Sequence, residues 1–233
     1  MAELLLIPGL AADATMWRDQ TAALADPWQP RVAQAHQNEA NMGDMAAALL
    51  AAHPGPLILC GASMGGIIAM EMARQAPQRV QALALLGTNA RPETPDMRAL
   101  RETAIALFDQ GRVREVIEPN VALAFHPAQA ANPALVQGYL DFVLAAGGER
   151  LIRQNRAIMD RPDARPHLPR LRCPVLVMCG EADQLTPPEC SREIASLVPG
   201  AEYVEVPRCG HMLTMERPDL VNARLRDWLA RVA

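Results

Sequence analysis

The chain has 233 residues, a net charge of −4, half of its residues apolar and only 3% aromatic. That length suits one large α/β domain with a sizeable core. The charge balance carries no basic stripe, which argues against a nucleic-acid partner, and no apolar run reaches the ~18 residues that a membrane span needs.

The first ten residues, MAELLLIPGL, lack the basic leader of a signal peptide and meet Pro8 and Gly9 early. Leu4–Ile7 is expected to be a buried strand, and Thr15–Leu24 a short helix after it. Arg31–Ala35 predicts a second strand, Asp44–Ala52 a helix, Leu57–Cys60 a third strand and Met64–Gln75 the helix that follows. Ala82–Leu86 predicts a fourth strand. These near-continuous apolar runs suit strands covered on both faces, and their alternation with helices predicts a parallel sheet. From residue 91 to 169 the rhythm breaks. Met97–Asp109, Arg112–Leu123, Asn132–Ala146 and Glu149–Met159 all read as amphipathic helices punctuated by Pro and Gly. Strands at Val175–Cys179 and Glu202–Val206 and helices at Pro188–Leu197 and Pro218–Arg231 complete the chain. The domain reading is a core of residues 1–90 and 170–233 with a helical cap, residues 91–169, inserted in it.

The segment Leu57-Ile-Leu-Cys-Gly-Ala-Ser-Met-Gly-Gly-Ile-Ile carries the strongest chemical signal. A strand runs into Gly61-Ala-Ser63-Met64-Gly65 and a helix starts at once. A turn this sharp leaves no room for side chains at Gly61 or Gly65, and it lifts the Ser63 hydroxyl above the sheet. The Met64 N–H, at the helix start, is placed to bind a developing oxyanion. A serine hydroxyl needs a base, and the base needs a carboxylate to orient it. Asp183, in the loop after the strand Val175–Cys179, and His211, after Glu202–Val206, stand past carboxyl ends of strands, on the rim where open α/β sheets bind ligands. Glu181 is expected to point away from His211. A second oxyanion donor is expected after the first strand, where Gly9 lets the backbone turn toward Ser63 and presents the Leu10 N–H. The plainer readings are a helix-capping Ser63, a solvated turn at Asp183 and a satisfied loop histidine at 211. Of the other histidines, His36 is expected at the cleft edge, and His53, His126 and His167 in loops or the cap.

With these residues placed, the chain resembles the α/β-hydrolase fold superfamily over nearly its full length. LLLIPGL matches the oxyanion loop, GASMGG the elbow, GEADQLTP the acid and RCGHML the base. The branch it is most similar to comprises small esterases, lactonases and C–C or thioester hydrolases with helical caps. The resemblance implies the roles of Ser63, Asp183 and His211 as a triad and of Leu10 and Met64 as backbone oxyanion donors. Three departures stand out. Pro8-Gly9 replaces the His-Gly of many members. The usual leading β-hairpin is missing, so about six strands are expected. Ala35-His-Gln-Asn-Glu replaces the common Asp-x-Arg-Gly-x-Gly turn, so the pocket wall there should differ.

The functional expectation is a serine hydrolase that cleaves a small ester, lactone or thioester through an acyl-enzyme on Ser63. The alternatives are a C–C bond hydrolase or perhydrolase using the same triad, and a ligand-binding protein that kept the fold without turnover. Phe108, Phe125, Tyr139 and Phe142 are candidate substrate contacts, with Met97, Leu107 and Met159 as looser ones. The partner is a small-molecule substrate, and no metal or organic cofactor is called for. Five cysteines without metal-like spacing read as free thiols in a reducing cytoplasm, with Cys60 and Cys179 as buried packing groups. The oligomeric state is left open.

Overall fold

The computed structural model describes residues 2–232. Six strands form one parallel sheet: β1 (Glu3–Ile7), β2 (Arg31–Val32), β3 (Leu57–Ala62), β4 (Val80–Leu86), β5 (Val175–Gly180) and β6 (Glu202–Val206), in the order β2-β1-β3-β4-β5-β6. Because every paired strand runs the same way, all carboxyl ends share one rim. The helices are α1 (Arg18–Ala23), α2 (Ala25–Trp28), α3 (Met42–Ala52), α4 (Met64–Gln75), α5 (Pro95–Asp109), α6 (Val113–Ala124), α7 (Pro127–Ala130), α8 (Pro133–Met159), α9 (Pro188–Leu197), α10 (Leu213–Glu216) and α11 (Pro218–Val232).

Strand side chains alternate between faces, and the core divides accordingly. Leu5, Ile7, Leu57, Leu59, Leu83, Leu85, Val175 and Val177 pack with Leu49 of α3, Ile68 and Met72 of α4 and Ile194 of α9. Leu4, Leu6, Ile58, Ala84, Leu86, Leu176 and Met178 pack on the other side with Leu225, Trp228 and Leu229 of α11 and with Phe108, Ile117 and Phe142 of the 91–169 segment. The sparse aromatics are therefore replaced by Leu, Ala and Met in most layers. No helix among the described residues is long and apolar enough to cross a membrane.

Two expectations are corrected. Strand β2 covers only Arg31–Val32, not Arg31–Ala35. The Ala33 N–H still donates to the Leu6 carbonyl, but Gln34 turns the chain and Ala35–Asn38 winds into a 3-10 turn. That turn carries His36 into the interior, fully buried, rather than to a cleft edge. The helix expected at Thr15–Leu24 divides into a 3-10 turn, Ala14–Trp17, started by the Asp13 carboxylate accepting from the Thr15 N–H, and α1. The two helices expected at Asn132–Ala146 and Glu149–Met159, by contrast, are both present: they are the two arms of α8, separated by a non-helical kink at Gly147.

The 91–169 segment is closed at its base by a buried ion cluster. Glu93, next to its start, receives Arg101 of α5 and Arg161 beyond α8. The Arg161 guanidinium also donates to the carbonyls of Arg91 and Ile158.

Candidate active site

Ser63 sits at the tip of the β3–α4 turn with φ 54° and ψ −119°, a conformation rarely adopted by a residue with a side chain. The surroundings over-determine it. A Cβ at Gly61 would run into the Gly65 carbonyl, and one at Gly65 into the Ile7 carbonyl, so only glycine lets β3, α4 and β1 come this close. The Ser63 N–H donates to the Leu86 carbonyl at 2.9 Å. Its own carbonyl accepts the Thr88 hydroxyl at 2.7 Å and the Gly66 N–H at 2.9 Å.

Ser63 Oγ lies 2.9 Å from His211 Nε2, and His211 Nδ1 lies 2.8 Å from Asp183 Oδ2. Asp183 and His211 are both buried. The Asp183 carboxylate is fixed by its own loop: Oδ1 accepts the N–H groups of Leu185 and Thr186, each at 2.9 Å, and Oδ2 accepts the Thr186 hydroxyl at 2.8 Å. Burial opposes ionisation of Asp183, but the adjacent imidazole and the Thr186 bonds outweigh it and hold the carboxyl below its ordinary range. Burial likewise opposes protonation of His211, and the Asp183 carboxylate outweighs it, so the imidazole titrates above its ordinary value.

The loop after β1 reaches this array. A Cβ at Gly9 would stand 3.2 Å from the Ser63 Cβ, so Leu10 follows a residue already in contact with the serine. Among the described residues, no protein acceptor takes the N–H of Leu10 or Met64.

Of the candidate substrate contacts, Phe125, Tyr139 and Phe142 come together: Tyr139 meets each phenylalanine edge-on at a ring-centroid distance of 5.4 Å. Burial raises the Tyr139 phenol to about 12. Phe125 is tied to the base, since the carbonyl of its neighbour Ala124 accepts the N–H groups of His211 and Met212. Phe108 is buried with its carbonyl against Gly148. Met97 is exposed and Met159 buried. Glu181 turns outward and accepts the Arg208 N–H, as expected. His53 bonds to Glu3 at 2.8 Å, His126 caps α7 and His167 lies in a groove away from Ser63, beside Arg74 and Asp163. All five cysteines are free, and Cys60 and Cys179 are buried.

Three contributors escaped the sequence reading. Thr186 is visible in hindsight, because a side-chain acceptor three residues before a Thr is a local turn pattern. Glu216 gives no such signal. Its buried carboxylate accepts the N–H groups of Gly210, Met212 and His126 at 3.0, 3.0 and 2.8 Å, joining the His211 loop to the 91–169 segment. Burial outweighs those bonds and keeps its carboxyl above the ordinary range. Gln154 accepts the Ala11 N–H at 2.7 Å, bracing the loop that carries Leu10 from the opposite end of the segment.

The chain belongs to the alpha/beta hydrolase fold family, whose sequence profile matches residues 35–218. It is thus an enzyme of the hydrolase class. The RutD protein of Klebsiella pneumoniae, named as a proposed carbamate hydrolase, is 27% identical over 97% of this chain and 90% of its own length. An esterase from Thermogutta terrifontis, solved with malate bound, superposes with a TM-score of 0.90 at 29% identity, covering 100% of this chain and 90% of that one. The enol-lactonase of Burkholderia xenovorans LB400 shares the fold, with a TM-score of 0.85 at 23% identity over 99% and 92% of the two chains.

Proposed function

We propose that the chain is a serine hydrolase acting on a small ester-like substrate through an acyl-enzyme on Ser63. The observation that carries this reading is the continuous relay from Ser63 Oγ through both nitrogens of His211 to Asp183. His211 takes the Ser63 proton as Oγ attacks the substrate carbonyl, and the oxyanion is received by the Leu10 and Met64 N–H groups. The protonated imidazole then gives its proton to the leaving group. Water, deprotonated by the same imidazole, releases the acyl group and restores Ser63. Asp183 holds the His211 tautomer and stabilises the imidazolium.

The carbamate named for RutD and the ester and lactone named for the structural relatives share one electrophile, a carbonyl carbon bearing a heteroatom leaving group. An ester, lactone or thioester of modest size is the substrate class proposed. Residues 91–169 act as its cap, resting on the loops after β1, β2 and β6 with the Phe125–Tyr139–Phe142 cluster above the base. The test is Ser63→Ala assayed on p-nitrophenyl butyrate, together with fluorophosphonate labelling of the wild type. The expected result is single labelling at Ser63 and a fall of roughly 10⁴–10⁶-fold in kcat. Full activity in the variant sinks the proposal.

A further inference from the structure

The face of α8 that looks onto the loops after β1 and β2 is built from Arg150, Arg153 and Gln154, at helical spacings of three and four that place them side by side. Arg150 donates to the Ala12 carbonyl at 2.6 Å, Arg153 to the Gln37 carbonyl at 3.2 Å, and Gln154 accepts from Ala11. His36, next to Gln37 in the chain, lies close enough to Arg150 for that cation to help burial lower its imidazole to about 4. His36 and Gln154 are fully buried.

This group has far more donor capacity than the protein uses. Nine buried side-chain N and O atoms among the described residues lack a protein partner, and five are here: both nitrogens of His36, Nε of Arg150, Nε of Arg153 and Nε2 of Gln154. Neither arginine has a carboxylate within ion-pair distance among the described residues, whereas those that close the base of the segment are paired. Asp13 lies near enough to favour the Arg150 charge, but its Oδ1 is engaged by the Thr15 N–H. Half-buried cations and buried unpaired donors are costly to maintain. One small anion with several lone pairs would satisfy the donors among them, Nε of each arginine, Nε2 of Gln154 and the single N–H of the neutral His36 imidazole, and guanidinium groups match a carboxylate in shape as well as charge.

We propose that His36, Arg150, Arg153 and Gln154 form a subsite for a carboxylate borne by the substrate, so that the enzyme prefers an anionic ester or lactone. This rests on the serine-hydrolase reading and narrows it. The subsite adjoins the oxyanion loop, since Gln154 holds Ala11, one residue past Leu10. A substrate gripped there would present its carbonyl beside Ser63, and binding energy gained away from the reacting carbon would serve orientation.

The experiment compares mono-p-nitrophenyl glutarate, which is anionic, with neutral p-nitrophenyl butyrate. In the wild type, kcat/KM is expected to favour the glutarate by about tenfold or more. In Arg150→Gln/Arg153→Gln, which deletes the charges but keeps N–H donors for Ala12 and Gln37, that preference is expected to collapse through KM. Arg150→Lys/Arg153→Lys should retain part of it. A preference unchanged within about twofold in the glutamine double variant, or a wild type that prefers the butyrate, overturns the subsite. Calorimetric titration of Ser63→Ala with glutarate gives a readout independent of turnover. Saturable binding that disappears when the two glutamine substitutions are added supports the subsite, and absence of binding overturns it. Failure of the wild type to hydrolyse either ester would count against the serine-hydrolase reading, while the titration would still decide the subsite.

Discussion

The rim of the sheet and the helical segment that rests on it are held by different kinds of interaction. On the rim, Ser63, Asp183 and His211 are placed by backbone: a strained turn sealed by glycines, a carboxylate wrapped by its own loop, and a parallel register that puts all three at strand ends. Residues 91–169 are closed on themselves at the base by Glu93 with Arg101 and Arg161, and long side chains, Arg150, Arg153 and Gln154, tether them to the loops after β1 and β2. Local turns can be built one at a time by sequence, whereas cross-fold tethers exist only when both partners are in place. The rim is therefore specified by neighbouring stretches of sequence, and the position of the segment by partners far apart in the chain.

The sharpest way to test the rim half is Asp183→Asn. The amide cannot hold the imidazole tautomer in the same way, and kcat is expected to fall about 10⁴-fold in steady-state assays. A loss under about tenfold would remove Asp183 from the array. The pH profile adds a signed check. Because His211 titrates above its ordinary value of about 6.5, the acid limb of kcat/KM should lie above that value in the wild type and move down in the variant. Stability follows the same pair. The raised imidazole contributes stability below its unfolded pKa that is lost as pH rises through its folded pKa. The depressed carboxyl contributes stability above its unfolded pKa that is lost as pH falls through its folded one.

The segment half is best broken at Glu93. Glu93→Gln leaves Arg161 and Arg101 facing an amide in a site where Glu93 and Arg161 side chains are 4% and 6% exposed. Removing one partner of a buried pair costs about 3–5 kcal/mol. Urea unfolding should report the loss, and amide exchange should quicken in residues 91–169 before the sheet. Uniform exchange across the chain would mean that rim and segment unfold as one unit and that the distinction between them does not hold.

Glu216 is where the two halves meet, so Glu216→Gln should disturb both, and less severely. The amide keeps an acceptor oxygen but not the charge. Bonds of this kind to a charged group contribute about 1.5–3 kcal/mol, and a smaller Tm loss than in Glu93→Gln is expected. Glu216 also raises the His211 pKa, so the acid limb should move down slightly. An unmoved acid limb with an unchanged Tm would show that Glu216 does not position the base.

What could be read from the sequence follows the same division. Ser63, Asp183, His211 and the strands beneath them were legible because a strand–turn–helix pattern, chain order and apolar runs are all local. The shortening of β2 was not, because Gln34 and the following 3-10 turn contain no Pro or Gly to announce them, and so the burial of His36 was missed. Glu216 and Gln154 act on partners 90 and 143 residues away. Nothing near either residue signals that it has one. The break within α8 is legible, because the Gly147-Gly148 pair announces it and the backbone leaves helical geometry at Gly147.

That bend supplies the smallest test. Gly147 has φ 75° and ψ 166°, and a Cβ there would meet nothing within 4 Å. The glycine is required by conformation alone, unlike Gly65, whose missing side chain makes room for the Ile7 carbonyl. Backbone strain at such a position costs about 1–3 kcal/mol, and the stiffer unfolded chain of the alanine variant returns about 0.4–1 kcal/mol. Gly147→Ala should thus lower stability by about 1 kcal/mol, roughly 2–4 °C in Tm for a chain of this size. Its kcat on p-nitrophenyl butyrate should stay close to that of the wild type, because the rim is untouched. A much larger loss of kcat than of stability would mean that the bend itself sets the position of Gln154 against the oxyanion loop, and that the segment shapes the chemistry as well as the pocket.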